Sequence, residues 1–252
     1  CLAAAVLLSL VRVALAPSIG PIRLSGAIVL PLAVSGLVGL TIGDTAYFGA
    51  IAALGVPRAI LILSSAPVFA ALGGVLFLGE RVGGREAGGI ALTLAGIALV
   101  VAARSPVALV SGAPGALAEA GTAEARRRIR RGIALGLVAA MGQAGGNLLA
   151  RRAMSLGIDP LGAAATRLVA GVLGLVVSAL VLGHAGPWVR ELREGRAWAK
   201  VAGASLIGTF GGIWLSQLAL ANCSSTGVAT TLLATSPMFA LPLAHFAGHE
   251  RI

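Results

Sequence analysis

Charge is scarce in this sequence, and acidic charge scarcest. Of 252 residues 11% are charged, with nine Asp or Glu against 19 Lys or Arg. A soluble domain carries roughly 25% charged residues, so too little polar surface is present to cover a globule in water. Cysteine is scarcer still, and Cys1 and Cys223 are too few for a disulfide framework. No Cys/His/carboxylate grouping has metal-ligand spacing, so neither a metal nor a cofactor is expected. The absence of Gly-x-x-x-x-Gly-Lys argues against direct drive by ATP. The nine carboxylates are scattered and do not form the interfacial His/Asp/Glu cluster of an integral membrane enzyme, so no catalytic residues are assigned. The net charge of +10 raises nucleic acid as a partner. The basic residues, however, fall in short stretches between apolar runs, which is a membrane-topology pattern, and no nucleic-acid site is read.

What the chain does have is apolar length. Hydrophobic residues make up 58% of it and mean hydropathy is +0.97. Eight apolar segments approach the roughly 20 residues that span a bilayer, at about 1–16, 30–53, 59–79, 87–103, 132–153, 160–183, 200–221 and 227–247. The runs are too long for strands and lack the alternation of a membrane barrel. The fold class is therefore all-α, a polytopic membrane helix bundle with the lipid bilayer as its surroundings. The 36 glycines suit close approach of membrane helices. Gly39 and Gly43, Gly208 and Gly212, Gly132 and Gly136, and Gly142 and Gly146 are each four apart. Both termini read as cut, since the chain opens inside an apolar run and closes on a Glu-Arg pair that elsewhere leads into another helix.

The chain also repeats itself. "APVFAALGGVLFLGERV" at 66–82 and "SPMFALPLAHFAGHERI" at 236–252 align without gaps. Over 59–82 and 229–252 the shared residues are Ala59/Ala229, Leu63/Leu233, Pro67/Pro237, Phe69/Phe239, Ala70/Ala240, Glu80/Glu250 and Arg81/Arg251. The copies occupy the third and eighth apolar segments. An odd separation reverses the second copy's direction, which gives the inverted-topology repeat of secondary transporters. The expected organisation is a first repeat over 1–103, a basic flexible linker over 104–131 and a second repeat over 132–252.

The stretch "GDTAYFGAIAALGVPRAILILSSAPVFAALGGVLFLGERVGGREAGGIALTLAGIALVV" resembles the EamA-type repeat of the drug/metabolite transporter superfamily. The likeness rests on a helix ending in Ala-Leu, a short turn, a helix with a central Pro, Gly-Glu-Arg, and a Gly-rich last helix. "GIDPLGAAATRLVAGVLGL" is similar to the opening of the second helix of the family's second half. The resemblance implies ten helices in two inverted five-helix units, so this chain would lack the first and last. It also implies a small-molecule substrate, amino-acid-like or related, with export the commonest direction, and a bacterial-type inner (plasma) membrane.

Polar groups deep in apolar runs are the candidates for a substrate cavity, because charge at bilayer depth faces a cavity or a partner. They are Asp44, Tyr47, Gln143, Asn147, Trp214 and Gln217, with Trp214 at the position matching Asp44. A desolvated Asp44 carboxylate could exchange a proton and couple export to a pH gradient; a helix-packing hydrogen bond is the alternative. Pro67 and Pro237 are expected to kink their helices. Arg167 is close enough to its helix start to snorkel to headgroups, and Glu80 and Arg81 read as solvated or mutually paired interfacial charges. Orientation stays open at this point: the basic central connection favours the cytoplasm, whereas the family arrangement puts it outside. A membrane scaffold or accessory subunit is the alternative to a transporter, and oligomeric state is not legible.

Overall fold

A computed structural model of the chain describes residues 25–111, 123–181, 208–209 and 211–235. The described residues are almost wholly helical and contain no strand, as the uninterrupted apolar runs require. Helix α1 (Gly26–Gly36) passes through a π-helical turn, Leu37–Gly43, into α2 (Asp44–Leu54). Then follow α3 (Val56–Leu63), α4 (Ala66–Leu78), α5 (Gly84–Ser111), α6 (Ala123–Ser155), α7 (Pro160–Val181), α8 (Gly212–Asn222) and α9 (Thr226–Ala234). Four stretches among the described residues are long and apolar enough to cross a membrane: Gly26–Leu54, Val56–Leu78, Ala123–Ser155 and Pro160–Val181.

Local chemistry sets the helix ends. Asp159 accepts a hydrogen bond at 2.9 Å from the Gly162 N–H, and Pro160 opens α7 behind it. A carboxylate cap followed by a proline whose missing N–H costs nothing is a strong helix start. Gly55 (φ 82°) joins α2 to α3 in a conformation closed to other residues. The basic run Arg126–Arg131 lies inside α6, and α5 continues to Ser111. The described ends of the expected flexible linker, 104–111 and 123–131, are therefore helical; at 123–131 Ala, Glu and Arg are good helix formers.

The chain divides into two compact units, Cys1–Ile42 with Gly145–Cys223, and Gly43–Ala144 with Ser224–Ile252. In the first, α7 packs against α1 and α8. Its core joins Ile28 and Leu32 of α1 to Ala150 and Ala153 of α6 and to Ile158 and Ala163. Glycines set the separation of α1 and α7: a Cβ at Gly36 would collide with the Arg167 carbonyl, and one at Gly171 would meet Leu40 at 2.9 Å. In the second unit, α4 packs against α9, and α5 against α3 and α9. Gly132 lies on Leu54 and Gly136 on Ile62, so this pair of small residues does bring helices together.

Pro67 does not sit in mid-helix. Helix α3 stops at Leu63, Ser64 and Ser65 form a turn, and Pro67 lies in the first turn of α4. The serines make this break tolerable in an apolar setting, since Ser64 Oγ donates to the Ile60 carbonyl (2.8 Å) and Ser65 Oγ to that of Ile62 (2.7 Å). Helix α9 ends in the same way. Thr235 has φ −77° and ψ −9° against −76° and −10° at Ser65, and its Oγ1 donates to the Leu232 carbonyl at 2.7 Å. The two sites are 170 positions apart (65 to 235), the offset of the sequence repeat. A second match lies at the start of α8, where residues 208, 209 and 211 are π-helical and correspond to positions within Leu37–Gly43. Pro237, Glu250 and Arg251 lie outside the described residues.

Candidate functional site

In the first unit, Asn147 and Gln217 are buried, at 2% and 1% exposure. Helix periodicity explains Gln217. Ile213, one turn earlier on α8, packs on the α7 cluster of Leu161, Ala164, Leu168 and Val172, and Gln217 follows on the same face. Its Oε1 has no hydrogen-bond partner among the described residues, and its Nε2 reaches Ser216 Oγ only at 3.4 Å. A buried acceptor left in this state costs about 1–3 kcal/mol, so the amide can engage a further donor. Trp214, three residues before Gln217 on the same helix, is 37% exposed.

Arg167 is 3% exposed and does not snorkel. Its Nη2 lies over Gly146, where a Cβ would meet it at 3.2 Å, and Ser35 Oγ donates to the Gly146 carbonyl at 2.6 Å. Gly146 opens the room that lets the guanidinium fold inward, where protein dipoles replace water better than lipid does; Gly36 lets α1 approach the Arg167 backbone. Burial of Ser35, Asn147 and Arg167 beside these glycines gives α1, α6 and α7 a polar interior. Thr41, in the π-helical turn, adds a bond from its Oγ1 to the Gly171 carbonyl at 3.1 Å.

In the second unit, Asp44 opens α2 directly after the π turn and is half-buried, as are Tyr47 and Gln143. The Tyr47 ring lies 6.1 Å from that of Phe48, which is exposed on the neighbouring face. Thus Asp44 and Tyr47 belong to one unit with Gln143, and Asn147, Trp214 and Gln217 to the other.

The polar contacts at the helix ends join residues far apart in the chain and were not expected. Glu80 is neither merely solvated nor simply paired with Arg81. Its carboxylate accepts from the Thr226 N–H at 2.8 Å and from Thr226 Oγ1 at 2.6 Å. Gly79 (φ 66°) turns the chain back so that the Glu80 N–H bonds the Gly74 carbonyl at 3.0 Å, and a Cβ at Gly74 would collide with the carboxylate. Ser224 Oγ donates to Glu86 Oε1 at 2.7 Å beside it. Two arginines close helix C-termini: Arg128 Nε donates to the Ala53 carbonyl at 3.1 Å, and Arg151 donates to those of Leu220 (2.7 Å) and Cys223 (2.9 Å). No group of His, Cys, Asp or Glu suited to a metal ion occurs among the described residues.

A search of curated proteins and a search of solved structures each returned no match. The family model of the EamA-like transporters matches residues 1–102 and 130–252, almost the whole chain. This family consists of membrane transporters of the drug/metabolite type rather than enzymes, which fits the apolar helices and implies a small-molecule substrate and a lipid environment. The chain is thus an integral membrane protein that belongs to the EamA-like transporter family.

Proposed function

We propose that the protein moves a small polar or amphipathic metabolite across a bacterial-type inner membrane by alternating access, in the export direction. An amino acid or related compound is the substrate class. The observation that carries this reading is the repetition of local backbone at positions 170 apart. The serine turn at Ser65 recurs at Thr235, and the π-helical turn before Asp44 recurs before Trp214. Such recurrence supports two five-helix repeats, the first over 1–103 and the second over 132–252, and inverted repeats can rock about a fixed midplane site. π-Helical turns inside α-helices frequently occur at functional sites.

In this reading Asp44, Tyr47, Gln143, Asn147, Trp214 and Gln217 line the substrate cavity, and the Gln217 carbonyl meets a donor on the substrate. Asp44 couples transport to protons. Pro67 begins the second segment of a broken helix and so shapes the cavity wall. The test is a broad metabolite panel against the full-length protein in proteoliposomes without ATP. Saturable uptake of one class of compound is the expected result. Silence across the panel from folded protein would instead favour a scaffold or accessory subunit.

A further inference from the structure

Arg126, Arg127, Arg128, Arg130 and Arg131 crowd the first turns of α6, and all are exposed. Glu124 is the only acidic residue on this helix. Successive helical residues turn by about 100°, so, counted from Arg126, Arg130, Arg127 and Arg131 fall at about 40°, 100° and 140°. Gly132 and Gly136, which lie on Leu54 and Ile62, fall at about 240° and 280° on the same count. Arg128, at about 200°, is on the edge of that packed side and bonds the Ala53 carbonyl. The other four arginines share the side of α6 opposite its glycine contacts with α2 and α3.

This side continues into apolar residues. Ile133, Leu137, Val138 and Met141 are exposed, at about 340°, 20°, 120° and 60°. The rise from Arg126 to Arg131 is about 7.5 Å. That matches one headgroup layer, since the two layers together add roughly 10–15 Å to a ~30 Å hydrocarbon core. From Ile133 to Met141 the helix rises about 12 Å further, most of the way to the bilayer midplane. One face of one helix therefore carries a cationic band at headgroup depth and an apolar strip at acyl-chain depth.

We propose that this face is a binding site for an anionic phospholipid, with Arg126, Arg127, Arg130 and Arg131 on its phosphate and Leu137 and Met141 against an acyl chain. Guanidinium groups meet phosphate oxygens through paired N–H donors. Each basic residue beside an anionic leaflet favours it by about fivefold. A zwitterionic lipid would bring its own ammonium against the arginines, so net negative charge is what the band selects. Free phosphate would meet the band alone and leave the strip uncovered. All of these residues lie in the second unit.

The test uses full-length protein with its native cysteines replaced and a fluorophore on Val138→Cys. The protein is reconstituted in phosphatidylcholine with a small fraction of lipid brominated on its acyl chains, which quenches the fluorophore on contact. Brominated phosphatidylglycerol is expected to quench at a mole fraction about fivefold lower than brominated phosphatidylcholine, or lower still. A fluorophore on Leu173→Cys, an exposed apolar position of α7, should show no preference. Changing all four arginines to Gln should bring the ratio at 138 to about one. Arg130→Gln with Arg131→Gln, which keeps the outer two arginines, should lower it part of the way. A ratio near one in the unaltered protein, equal ratios at 138 and 173, or a preference that survives both sets of changes would overturn the site. Inorganic phosphate should not restore fluorescence beyond chloride at equal ionic strength; if it does, the band binds a free anion and the lipid assignment is wrong. No transported compound enters the experiment, so its failure is separate from failure of the transport reading.

Discussion

Glu80 and Thr226 are 146 residues apart in the chain and share two hydrogen bonds, one to the backbone N–H and one to the side-chain hydroxyl. The carboxylate thereby caps the first turn of α9, where unpaired N–H groups and the positive end of the helix dipole meet it. Charge-assisted bonds of this kind contribute about 1.5–3 kcal/mol in folded proteins. Glu80→Ala is expected to lower the unfolding free energy of the purified protein in detergent by about that amount. Combined with Thr226→Val it should be non-additive by ~1 kcal/mol or more. Additive losses would mean that the two residues act separately.

Close packing of α1 on α7 makes a second prediction. A methyl group at Gly36 meets backbone, which cannot yield as a flexible side chain does. Gly36→Ala should therefore cost about 1–3 kcal/mol, whereas Gly88→Ala, which meets nothing within 4 Å, should be neutral or stabilising. Thermal unfolding of the two variants side by side checks this. Equal behaviour would show that helix propensity, not packing, decides at position 36.

Gln217 should separate stability from transport. Replacing a buried amide with an unpartnered oxygen by Leu removes a desolvation cost. Gln217→Leu is expected to leave the melting temperature unchanged or higher. The same change should raise the half-saturation concentration for substrate by about tenfold, as the loss of one hydrogen bond to ligand would. A variant that melts lower and transports with unchanged saturation would place Gln217 in the fold rather than the cavity.

How far the sequence anticipated these features depended on whether they were local. The α-helical class was visible because it depends on the composition of each run alone; Pro67 was expected to kink a helix from within, and the turn at Ser64 and Ser65 that ends α3 before it was not foreseen. The direction of Arg167 was misjudged. Its distance from the helix start suits snorkelling, but the space its guanidinium occupies lies over Gly146, which comes from another helix. The Glu80 cap escaped for the same reason, because its partner lies far along the chain and Thr226 carries no signature of its own. The π-helical turn before Asp44 had no sequence signal beyond Gly36, Gly39 and Gly43. Candidate residues such as Asn147 and Gln217 could be found from polarity within apolar runs, whereas the exposure of Trp214 followed from a helix phase that composition does not fix.

Asp44 bears on energy coupling. If its carboxylate exchanges the coupling proton, uptake into inverted vesicles should rise with an imposed pH gradient. Asp44→Asn should abolish that dependence while substrate exchange persists. Equal gradient dependence in both proteins would remove Asp44 from coupling.

Alternating access is tested most directly by trans-stimulation. Proteoliposomes containing the full-length protein are preloaded with the unlabelled compound found by the metabolite panel, and uptake of labelled compound is followed without ATP. The account predicts saturable uptake that is faster into preloaded than into empty vesicles, because a loaded carrier returns through the same two states. Uptake that is linear in concentration and indifferent to preloading would contradict it.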